Sequence, residues 1–91
     1  MNIIETINQE FGGDVNDKRP LHINSICRIA YAGYLRTVEK LRYKEVANEM
    51  NTSLGTTQDR LKKHKDFYSV DLYYRLMFDN VVKKLKDDNR N

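Results

Sequence analysis

Apolar residues in this chain recur every three or four positions almost from end to end, and no stretch alternates in the manner of a strand. That period places them on single faces of helices. Pro20 is the only proline and glycine occurs four times in 91 residues, so little interrupts the helical runs. The expected fold class is therefore all-α, a compact bundle of about five helices.

Ile3, Ile4, Ile7 and Phe11 form one stripe on a first helix, and Gly12-Gly13 stops it. Asp14 to Pro20 reads as a polar turn. A long helix is expected over 21–41, with Asn24 or Ser25 as its cap, Ile23, Ile26, Ile29 or Ala30, Gly33 or Tyr34, and Val38 on one face, and close packing at Gly33. A short helix over Tyr43–Met50 turns Val46, Ala47 and Met50 inward. The next, Leu54–Lys65, is anchored by Leu54 and Leu61. Asp66 to Ser69 is expected to turn. A last helix from Val70 to about Lys86 carries a stripe of Tyr73, Met77, Val81 and Leu85, widened by Leu72 and Leu76, and residues 87–91 make a frayed tail.

Composition narrows the function classes. No run of ~18 apolar residues exists to span a membrane. Met1 to Glu5 lacks the basic-then-apolar pattern of a signal peptide. Cys27 is the single cysteine and fits a small core residue in a reducing, cytoplasmic setting. His22 and His64 have no cysteine at ligand spacing, so no metal is expected and both are read as surface residues. No nucleophile, His and acid are grouped, and no glycine loop could cradle a phosphate, so neither an enzyme nor a cofactor is expected.

The net charge of +3 conceals a segregation: residues 1–17 carry −4, residues 18–65 carry +7, and residues 66–91 balance. Positive charge gathered on one part of a small chain suits a polyanionic partner.

The most basic part also holds the sequence from Tyr43 to Leu61, whose grammar is that of a helix-turn-helix. Ala47 is small where two helices would cross, Asn51 tolerates left-handed backbone in the turn, and Ser53 caps the second helix. Ser53, Gly55, Thr56, Thr57 and Gln58 would face the major groove of double-stranded DNA, with Gln58 suited to adenine. Thr57 also stands where such helices bury an apolar residue. Lys18, Arg19, Arg28, Lys44, Arg60, Lys62, Lys63 and Lys65 would reach phosphates or the minor groove. Asp59 is read as a helix-surface partner of Lys62 or Lys63.

From about Ile3 to Leu85 the chain resembles the C-terminal DNA-binding domain of the bacterial replication initiator DnaA, a fold related to the Trp repressor. The likeness is carried by the aromatic and glycine ending the first helix, by Lys18-Arg19, by Arg28 to Leu35, by Glu45-Val46-Ala47 and by the paired threonines Thr56-Thr57. On that resemblance the chain forms a single domain, with residues 1–13 as an N-terminal helix and 21–86 as the DnaA-like core. The resemblance implies major-groove reading by Thr56 and Thr57, with Arg28 and the Lys18-Arg19 pair near the minor groove. The family has Arg-Asp-His just before the threonines, where this chain has Ser53, Leu54 and Gly55. No nucleotide-binding domain is present in 91 residues. The motif is also similar to the promoter-reading region of sigma factors and to response-regulator output domains.

The resulting expectation is a small transcription or replication regulator, of the kind a phage or mobile element encodes. The alternative is a protein-interaction adaptor that keeps the fold without base reading. Its partner, or a second copy, would dock on a second face of the C-terminal helix formed by Phe78 and Val82. The Tyr68, Tyr73 and Tyr74 cluster is assigned to core or dimer packing.

Overall fold

A computed structural model describes residues 2–88. Five helices are present among them: α1 (Ile3–Phe11), α2 (His22–Thr37), α3 (Tyr43–Glu49), α4 (Leu54–Val70) and α5 (Leu72–Asp88). The described residues include no strand, and none of these helices is long and apolar enough to cross a membrane.

α1 begins where the Asn2 side chain accepts the Glu5 N–H at 2.7 Å, and ends at Gly12, whose φ of 81° closes the helix. It buries Thr6, Ile7 and Phe11. The segment after it is more structured than a polar turn. The Asn8 carbonyl oxygen Oδ1 accepts the Val15 N–H at 2.9 Å, Asn24 Oδ1 accepts the Asp14 N–H at 2.9 Å, and Val15 enters the core. Asn24 therefore pins this loop from inside α2 instead of capping that helix, which starts earlier, at His22.

α2 is the axis of the molecule and packs against α1, α3 and α4. The single apolar face expected for it is an underestimate. Every residue from Ile29 to Leu35 is buried, because neighbours cover the helix on several sides. Ala30, Ala32 and Gly33 keep it thin enough for that. Ile23, expected inward, is exposed, since in the first turn of α2 it is Asn24 that faces the loop after α1 and is buried by it. The helix closes through Lys40 at φ 60°, a left-handed residue, with the Leu41 N–H returning to the Leu35 carbonyl at 3.0 Å.

α4 runs straight through the predicted turn at 66–69. Asp66-Phe67-Tyr68-Ser69 contains neither Gly nor Pro, and Phe67 packs against the core, so nothing stops the helix there. It ends at Asp71, whose carboxylate accepts the Tyr74 N–H at 3.1 Å and so starts α5.

The buried stripe of α5 is Tyr74, Phe78, Val81 and Leu85. Val81 and Leu85 are as expected, but Tyr73, Leu72 and Leu76 are exposed, and Phe78 belongs to the core and not to a second face. The reason is a cluster of rings: Tyr74 stands 5.5 Å from Phe11, and Phe78 stands 4.6 Å from His64 and 6.5 Å from Tyr34 between centroids. These contacts rotate the helix relative to its most hydrophobic reading. Lys84 and Asn80 then fasten α5 to α1 through Glu10, at 2.7 and 3.1 Å, and the Lys84 hydrogen bond holds the Glu10 carboxyl below its usual range. Asp87 continues α5, and the remainder of the expected tail, 89–91, lies outside the described residues.

His64 is not a surface histidine. It is 6 % exposed, and its Nδ1 shares a 2.6 Å hydrogen bond with the Tyr74 hydroxyl. A Cβ placed on Gly33 would overlap the His64 ring, so the close packing expected at this glycine is a contact with the α4 histidine. Cys27 is fully buried, as a core residue.

Candidate nucleic-acid interface

α3 and α4 are joined by Met50 to Ser53. The Met50 N–H returns to the Val46 carbonyl at 3.0 Å and the Thr52 N–H to the Ala47 carbonyl at 3.0 Å. Asn51 between them has φ 52°, the left-handed value for which its type was singled out. Val46 and Ala47 are buried against the neighbouring helices, and α3 packs on both α2 and α4. Ser53 caps α4: its Oγ accepts the Thr56 N–H at 3.1 Å and donates to the Thr56 hydroxyl at 2.9 Å.

Helical phase then sorts the first half of α4. Thr57 is completely buried and its hydroxyl donates to the Ser53 carbonyl at 3.0 Å, so it holds the helix to the core and does not face a groove. Leu61 and His64 continue that inward line at +4 and +7 from Thr57. Leu54, expected as an anchor, is 40 % exposed, because α4 begins one turn before its packed surface does. Gly55, Thr56, Gln58 and Lys62 are exposed. Asp59 is exposed as well and pairs with Lys63 at 3.1 Å.

The cations predicted as one set fall into distinct places. Arg28 of α2 and Arg60 of α4 line the same two clefts, one of about 210 Å³ that Ile4, Asn16 and Glu49 also border, and one of about 190 Å³ between α2 and α4. The second is completed by Ser25, Thr56, Asp59 and Lys63. Arg28 also donates to the carbonyls of Asp17 and Val15, at 2.7 and 3.3 Å, which steadies the loop before α2. Arg60 makes no ion pair among the described residues, and burial together with the nearby Arg28 charge lowers its pKa. Two guanidinium groups thus share one junction, with the exposed Glu49 on the wall of the first cleft and Asp59, engaged by Lys63, on the wall of the second.

Other candidates stand apart. Arg19 forks onto Asp17, at 2.6 Å for the ion pair, so its charge is locally neutralised. The same contact holds the Asp17 carboxyl well below the carboxylate range. Lys18 and Lys44 are exposed. Lys65 lines a cleft on the opposite flank of α4, with Arg36 and Tyr43. Ser25, Arg36 and Glu49 are among the lining residues that the sequence did not mark for these clefts, since their membership depends on how α2, α3 and α4 meet. In comparisons with known proteins, the chain matches no family model, no curated protein and no solved structure.

Proposed function

We propose that the chain binds double-stranded DNA, with the first half of α4 as the reading element. The observation that carries this is the Arg28–Arg60 junction. Two positive groups held together in a cleft cost energy unless an anion joins them. The hydroxyl of Thr56 lines the second of the two clefts beside the Lys63–Asp59 ion pair, and a hydroxyl facing two guanidinium groups is the chemistry a backbone phosphate takes. Beside it, Gly55 and Gln58 leave a low, polar surface on an exposed helical face, suited to base edges in the major groove. Thr57, buried, and Arg19, paired with Asp17, take no part in this contact.

A protein-interaction module is the competing reading, and one observation favours it. Val70, Leu72, Tyr73 and Leu76 are exposed by 81, 58, 77 and 51 % around the α4–α5 corner. The surface available to a partner is this corner and not Phe78.

Selection of bound duplexes from a randomised pool, followed by titration at several salt concentrations, separates the two. DNA binding predicts an enriched motif and an affinity that falls steeply with salt. Arg60→Ala should weaken binding to every duplex and flatten the salt dependence by about one phosphate contact. Gln58→Ala should change the enriched motif with little effect on the salt dependence. No retained DNA at low salt would overturn the proposal and leave the apolar corner as the surface to pursue.

A further inference from the structure

The flank of α4 opposite Arg28 borders a third cleft, of about 320 Å³, between the end of α2, the start of α3 and the second half of α4. That volume lies within the range of small-molecule sites, roughly 300–1,000 Å³. Tyr43, Leu61 and Tyr68 give it apolar and aromatic walls, and the lining contains no carboxylate. Its charged residues are Arg36 and Lys65, since burial keeps the lining His64 neutral near pH 7.

Neither cation is paired with a carboxylate among the described residues. The Arg36 guanidinium sits 5.2 Å from the centre of the Tyr43 ring and reaches one carbonyl, that of Leu41, at 3.4 Å. The Tyr68 ring is held in place from outside the cleft, by its hydroxyl donating to Asp79 at 2.8 Å. Two tyrosines 44 and 36 % exposed, an aliphatic wall and two uncompensated cations describe a site for a flat apolar body with one negative end.

We propose that this cleft binds a small aromatic carboxylate, with its ring against Tyr43, Leu61 and Tyr68 and its carboxylate on Arg36 and Lys65. The proposal does not depend on DNA binding. A planar carboxylate matches the forked guanidinium better than a compact anion does, and the ring replaces water on the apolar walls.

The test uses the full chain, labelled for amide NMR and titrated with 2-naphthoate, with 2-naphthylmethanol as the uncharged control. Saturable shifts gathered at residues 36, 43, 61, 64, 65 and 68, with markedly weaker binding of the alcohol, are the expected result. Lys65→Gln, an exposed change, should weaken 2-naphthoate several-fold without a change in melting temperature, and Arg36→Gln with Lys65→Gln should weaken it by about ten-fold or more. Absence of shifts at the solubility limit would overturn the proposal. So would shifts scattered over the surface, equal binding of the alcohol, or binding indifferent to Lys65→Gln.

Discussion

A few residues of this chain sit where only their own shape or chemistry fits. Gly33 is one, pressed against the His64 ring. A methyl group there must displace the imidazole or push α2 from α4. Gly33→Ala is therefore expected to cost about 1–3 kcal/mol, the usual range for overpacking, despite alanine's better helix propensity. Chemical denaturation checks it, and the penalty should shrink in a His64→Ala background, because contacting residues couple. Equal penalties in the two backgrounds would place the strain elsewhere. Asn51 is another, at φ 52° in the joint before α4. Asn51→Ala should destabilise by roughly 1–2 kcal/mol and Asn51→Gly by much less, since left-handed backbone penalises a Cβ. Equal denaturation midpoints for these two variants would contradict that account.

At the level of elements, α4 serves three ends along its length, roughly 25 Å for 17 residues. Its first turn is set by Ser53, its middle by Thr57, Leu61 and His64, and its far end by the rings of Phe67 and Tyr68 against α5. The α3–α4 joint was legible because its chemistry is local: a left-handed Asn, then a hydroxyl cap, then an N–H three residues on. Ser53→Ala should lower stability by about 1 kcal/mol and Ser53→Asp should recover most of it, as measured by thermal unfolding. A loss that Asp does not recover would show that Ser53 acts through its size and not its oxygen. The end of α4 was not legible. Residues 66–69 have no intrinsic reason to be a turn or a helix, and contact with α5 decides the matter.

Across the whole molecule, His64 is the buried group whose titration falls between neutral and mildly acid pH. Burial lowers its pKa from 6.5 to about 4. Its neutral form is the one folded around Gly33, Tyr74 and Phe78. The unfolded chain takes up a proton as the pH falls through 6.5, and the folded chain resists until about 4. Stability is thus full above 6.5 and is lost progressively down to about 4, by an amount on the order of 2–3 kcal/mol. Denaturation curves at pH 7.5 and 4.5 should differ accordingly, and His64→Leu should flatten the difference. A variant with the same acid sensitivity as the parent would assign it to other groups.

What the sequence determined by itself was the class of the fold, the number of helices and the joint carrying the candidate interface. Those follow from short-range rules: the 3.6-residue period, the caps, and backbone angles that Gly and Asn accept. The tertiary structure decided which faces point inward. The stripe of α5 could be drawn through Tyr73 or through Tyr74, one residue apart, and only the rings of Phe11, His64 and Tyr34 select the latter. The same is true of charge. Arg28, Arg60 and Lys65 carry the same charge in the sequence, yet packing of α2 on α4 brings the first two to one junction and sends the third to another cleft. Helical period fixes spacing along an element, while the phase of that period is set by what the element packs against.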